Sequence, residues 1–129
     1  MPAYSHPYDG HNYDPAMPVL EVTLAAPASG EPRMNVLALV DSGSDATLLP
    51  GNALEESGAL YLRSRRIRGI TGHAILADVY LTSLRVGPYT IRGIRAVAVS
   101  SEGEAILGRD VLNQLDLRLI GPAQELWLE

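Results

Sequence analysis

A chain of 129 residues suits one domain built on one hydrophobic core. Its apolar fraction of 47% and charged fraction of 19% exclude bulk disorder, and the absence of cysteine excludes disulfides, thiolate metal sites and Cys nucleophiles. The net charge is −5 and every Lys/Arg-type cation is Arg, which argues against a general nucleic-acid binder and removes Schiff-base chemistry.

Residues 1–18 are rich in Pro, Tyr, His, Asp and Asn and show neither strand nor helix period. They read as a flexible arm. His6, Asp9, His11 and Asp14 fall within it, but their spacing matches no structural-zinc pattern, so no metal is expected. The arm lacks the basic start and apolar stretch of a signal peptide. No run approaches the ~20 apolar residues of a membrane span. The expected setting is cytoplasmic, without membrane or nucleic acid as partner.

The ordered domain is expected over 19–129. Val19 to Ala25 alternates as a strand, and Pro27 to Pro32 reads as a turn. Arg33 to Val40 returns as a second strand, whose last residues Leu37-Ala-Leu-Val40 suggest burial on both faces. That run ends in Asp41-Ser42-Gly43-Ser44-Asp45. Gly51 to Ser57 suggests a short helix closed by Gly58. Tyr61 to Ile70 and Ala74 to Val86 are strand-like and flank Thr71-Gly72-His73, a candidate hairpin tip. Tyr89 to Val99 follows as a strand, with Ile91, Val97 and Val99 expected inward. Beyond the apolar run Ala105 to Leu107, stopped by Gly108, Arg109 to Leu115 reads as a helix. Leu117–Ile120 and Glu125–Leu128 close the chain as strands around Gly121-Pro122. About seven strands and two short helices make an all-β domain.

Asp41-Ser42-Gly43-Ser44 matches the D-[ST]-G-[ST] signature of aspartic proteases. The flanking residues extend the match: Leu37 to Val40 before it, Thr47-Leu-Leu-Pro50 after it, the Gly-centred tip Ile70-Thr-Gly72, and Ile106-Leu-Gly-Arg-Asp110. Over about residues 19 to 128 the chain resembles the retropepsin-like, single-domain aspartic proteases. The resemblance implies a small, closed or partly open acid-protease barrel with a flap hairpin and one or two short helices. It also implies an aspartic endopeptidase without cofactor, with Asp41 catalytic and Ser42, Gly43 and Ser44 supporting it. Ile70, Thr71, Gly72 and His73 become the flap that contacts an extended peptide or protein substrate.

The chemistry needs two carboxylates about 3 Å apart that share a proton. No other Asp is followed by Ser/Thr-Gly, so the resemblance implies a homodimer, with Asp41 from each chain at a twofold axis. Gly43 gives the room that close approach to the carboxylates requires. Ser44 can donate to the Asp41 carboxylate, which would push activity toward acid pH. By the same resemblance Asp45 and Arg109 form a structural ion pair between the active-site loop and the second helix.

Other readings stay open. A calcium loop fails because Ala46 stands where such a loop needs Gly and Asn52 where it needs Glu. The same fold can serve as a catalytically weak or inactive dimerisation or peptide-binding module. Arg63, Arg65, Arg66 and Arg68 read as a solvated strand face, or as a preference for acidic substrate residues. His73 reads as solvent-exposed, and Trp127 as core or, preferably, dimer interface.

Overall fold

Alternation in the first long strand places Leu20, Val22 and Leu24 fully inside while Glu21 faces out. The computed structural model describes residues 2–68 and 72–129. Among them run β1 (Tyr4–Pro7), β2 (Val19–Ala25), β3 (Pro32–Val40), β4 (Leu48–Pro50), α1 (Gly51–Glu56), β5 (Leu60–Arg68), β6 (Ala74–Val86) and β7 (Tyr89–Val99). Then come β8 (Ile106–Leu107), α2 (Arg109–Leu112), β9 (Leu117–Ile120), a 3-10 turn at Gly121–Ala123 and β10 (Glu125–Leu128). The all-β expectation holds, with ten strands among the described residues in place of about seven.

One sheet runs β2-β3-β8-β4-β7-β6-β5, and β2 also pairs with β6 from Val22↔Val86 to Ala25↔Ser83. That second pairing closes six strands into a ring, leaving β5 outside it. β7 reaches along β6 only as far as Val79, so β5 and the first residues of β6 project as a two-stranded ribbon. Thr71 and Ile70, expected at the ribbon's tip, lie outside the described residues.

The core is aliphatic. Leu20, Leu24, Leu49, Leu54, Leu84, Leu107, Leu126 and Leu128 are all fully buried, and each such side chain stabilises the fold by about 2 kcal/mol. α1 contributes Ala53 and Leu54 to it. Its end is sealed by the buried Ser57, whose hydroxyl donates to the Leu54 carbonyl at 3.0 Å. Ile91 and Val97 are buried as expected, while Val99 is only half-buried.

Four local expectations change. Residues 4–7, read as part of a flexible arm, form β1 and pair antiparallel with β10, from Tyr4↔Leu128 to Pro7↔Glu125. A period cannot be read from four residues, and the partner lies at the other end of the chain. With β9 these strands make a separate three-stranded sheet. Leu48–Pro50 adds a strand wedged between β7 and β8. α2 stops at Leu112 rather than Leu115, with Asn113 as its cap.

The fourth concerns the strand before Asp41. Ala38 is buried, but Leu37 is 47% exposed. The outer face of β3 instead lines a cavity of about 250 Å³ with Val19, Leu39, Ala105 and residues of the N-terminal segment. Tyr13 of that segment donates its hydroxyl to Glu104 at 2.9 Å. Both carboxylate oxygens of Asp9 are used locally, one by the backbone N–H groups of His11 and Asn12 and one by the Asn12 amide. The Asn12 side chain first, and then its backbone N–H, hold Asp9 below the usual carboxylate range. No helix of the described residues is long and apolar enough to cross a membrane.

Candidate functional site

Asp41 stands where β3 leaves the sheet. Val40 is in register with Leu107 of β8, and the Asp41 N–H carries the parallel ladder one step further by donating to the Leu107 carbonyl at 3.1 Å. There the chain turns. The Ser44 N–H donates to the Asp41 carbonyl at 3.2 Å, and the Gly43 N–H donates to Asp41 Oδ1 at 2.9 Å. The backbone itself therefore orients the carboxylate. The other oxygen, Oδ2, has no hydrogen-bond partner among the described residues.

Gly43 is held by proximity to that same carboxylate. A Cβ built there would sit 3.1 Å from Asp41 Oδ1, tighter than ordinary packing. Asp41 is half-buried, whereas Ser42 and Gly43 are exposed, so the turn presents its carboxylate at the surface of this chain.

The Ser44 hydroxyl does not reach Asp41. It donates to the Ala46 carbonyl at 2.7 Å and ties the descending arm of the turn together. Ser44→Ala is therefore expected to cost about 1 kcal/mol of stability and to leave the shape of the pH–rate profile unchanged. A displaced profile would return Ser44 to the carboxylate.

Arg109 meets the turn, though not through Asp45. Its guanidinium Nη1 donates to the Ser42 carbonyl at 2.7 Å, and its backbone N–H donates to the Ser44 carbonyl at 2.8 Å. Asp45 is exposed and makes no ion pair with Arg109 within 4.0 Å. The expected link between loop and helix exists, but a charge-assisted bond to a carbonyl makes it in place of the carboxylate.

The carboxylate that does brace this region is Asp110. Its Oδ1 accepts from Thr47 Oγ1 at 2.7 Å and from the Val111 N–H at 2.9 Å, while Oδ2 accepts from the Thr47 N–H at 3.3 Å. Thr47, fully buried, also accepts from the Gly108 N–H at 3.1 Å. Among the described residues no buried side-chain polar atom lacks a hydrogen bond, which is the condition for burying this knot. Gly108 is obligatory there, because a Cβ would lie 2.6 Å from the Ala46 carbonyl carbon and closer still to its oxygen. Thr47 and Asp110 were not singled out from sequence. The available signal was a lone hydroxyl opening the apolar Thr47-Leu-Leu-Pro50, and an acid directly after Gly-Arg.

Gly72 and His73 lie past the end of the ribbon from β5 to β6, Gly72 with φ +81° and His73 exposed. A cavity of about 470 Å³ lies between the ribbon and the end of β7, lined by Ile67, Ile75, Leu76, Ala77, Ala98 and Val99.

A family model described as aspartyl protease matches residues 29–111. Among solved structures, a retropepsin-like aspartic protease from Rickettsia conorii is 12% identical with a TM-score of 0.62, over 97% of this chain and 90% of that one. EIAV protease complexed with an inhibitor is 18% identical with a TM-score of 0.54, over 76% of this chain and 86% of that one. A search of curated protein sequences returned no match. The fold, a ring of strands with a projecting hairpin, is thus the retropepsin-like one.

Proposed function

The chain belongs to the aspartyl protease family, and from that membership we propose that it is a homodimeric aspartic endopeptidase with Asp41 as its catalytic residue. The observation that carries the proposal is the turn closing β3. Each chain brings one carboxylate, oriented through Oδ1 by the Gly43 N–H, with Oδ2 free of partners among the described residues. Hydrolysis by this chemistry needs a second carboxylate about 3 Å away, because only a pair that close shares one proton. A second chain supplies it through an isologous contact.

The ionised member takes a proton from a water as the water oxygen bonds to the peptide carbonyl carbon. The protonated member gives its proton to the carbonyl oxygen. The tetrahedral adduct then breaks its C–N bond. The amine nitrogen receives the proton drawn from water, and a hydroxyl proton returns to the other carboxylate. No metal or organic cofactor enters the cycle.

The hairpin of β5 and β6 acts as the flap in this reading. Ile70, Thr71, Gly72 and His73 contact an extended substrate whose backbone adds as a strand and whose alternate side chains enter pockets. Ser42 reaches toward the partner chain's turn. The sheet of β1, β10 and β9 forms the natural dimer face, since its β9 edge exposes Leu119 and its Trp127 ring lies under Arg118 at 5.6 Å. The peptidase domain comprises residues 19–129 together with β1, which pairs with β10. A chain without cysteine suits the cytoplasm.

An active-site inhibitor of the statine type tests the reading. By calorimetry it is expected to bind one molecule per two chains, together with loss of cleavage across a peptide library. A stoichiometry of one per chain, or a stable dimer that neither binds the inhibitor nor cleaves, would support the peptide-binding module instead.

A further inference from the structure

β5 carries four of the chain's ten basic residues and no acid, although the net charge of the whole chain is −5. Arg63, Arg65, Arg66 and Arg68 are all exposed, and none has a carboxylate within 4.0 Å among the described residues. The nearest acid in register is Asp78, opposite Ser64, and it accepts a hydrogen bond from the Ser64 hydroxyl at 3.1 Å.

The strand's place in the sheet makes this charge usable. β5 ends the strand order, so beyond β6 its outer edge has no strand partner among the described residues and offers free N–H and C=O groups. Register with β6 puts Arg63 opposite Val79 and Arg65 opposite Ala77 on one face, and Arg66 opposite Leu76 and Arg68 opposite Ala74 on the other. Cations therefore flank the open edge on both sides. Exposed apolar side chains adjoin them, with Tyr61 52%, Ile75 58% and Leu76 72% accessible.

Resting on the peptidase reading above, we propose that the outer edge of β5 is an exosite that docks an acidic, extended segment of the protein substrate by strand addition. Its backbone pairs with the free edge. Its successive side chains alternate between the two faces, so acids at neighbouring positions meet Arg63 and Arg65 on one side and Arg66 and Arg68 on the other. A second copy of this chain is excluded as the occupant of that edge, because antiparallel pairing of two such strands sets arginine against arginine. Docking along the flap's own outer strand raises the local concentration of the scissile segment without changing the chemistry at Asp41.

The test uses the full chain carrying Asp41→Asn and a fluorescein-labelled peptide with a run of Glu and apolar residues, read by anisotropy. Replacing Arg63, Arg65, Arg66 and Arg68 together by Gln is expected to weaken capture by about tenfold. Replacing Glu by Gln in the peptide should cost the same factor, and the two changes together should cost no more than either alone. Added salt should weaken capture to a similar degree. Unchanged capture by the arginine-free variant with an unchanged melting curve overturns the proposal. So does a single-stranded oligonucleotide that displaces the peptide more effectively than the unlabelled peptide itself. Because capture is read on a chain disabled for hydrolysis, its failure is separate from failure of the peptidase reading, which appears as absent cleavage by the wild type.

Discussion

Asp41→Asn is expected to lower peptide hydrolysis by about a thousandfold or more while changing stability by no more than about 1 kcal/mol. The two halves of that expectation have different causes. An amide cannot exchange the proton that the paired carboxylates must hold and release, so the acid–base step fails. The turn, however, asks only for an acceptor at Oδ1, where the Gly43 N–H donates at 2.9 Å. An Asn carbonyl oxygen fills that position with the same shape. Cleavage assays beside chemical denaturation separate the two. A variant that loses its fold together with its activity would show that the charge holds the turn rather than performs the reaction.

Gly108→Ala is expected to cost about 3 kcal/mol or more, although it lies outside the signature turn. The added methyl would meet the backbone of Ala46, with the Ala46 nitrogen 3.0 Å and the carbonyl carbon 2.6 Å away. Backbone has no rotamer with which to yield, so the strain passes into the Thr47–Asp110 knot. That knot joins the end of the Asp41 turn to α2, so activity falls with stability. Gly121→Ala is the control, since a Cβ there meets nothing within 4 Å and should change stability by less than about 0.5 kcal/mol. Equal denaturation midpoints for the two variants would refute the close-approach account.

Much of this architecture was legible because it is local. β2 announces itself by alternation, β6 and β7 by long β-branched and aliphatic runs, and α1 by its position after Pro50 and before Gly58. The Asp41 turn was legible for a different reason: Asp41-Ser42-Gly43-Ser44 matches a signature that fixes residue types at four consecutive positions. What escaped depends on partners distant in sequence. Tyr-Ser-His-Pro has no pattern of its own and becomes a strand only because β10 lies beside it. Leu37 read as buried on both faces, whereas its outward side borders a cavity beneath a segment expected to be loose. Asp45 drew attention through its nearness to the signature, but the carboxylate at work is Asp110, satisfied by a threonine that reads as one more residue of an apolar run. Sequence spacing names the residues that chemistry restricts. It is poor at saying which of two acids a folded loop will choose as its brace.

That two chains must each supply one Asp41 is the central claim, and mixing tests it most directly. A fixed amount of wild-type chain is titrated with Asp41→Asn chain, allowed to exchange subunits, and assayed on a cleaved peptide. Paired active sites predict that cleavage falls toward zero as excess variant draws each wild-type chain into a mixed dimer. Cleavage that stays proportional to the wild-type chain alone, with mixed dimers demonstrably formed, would contradict the account.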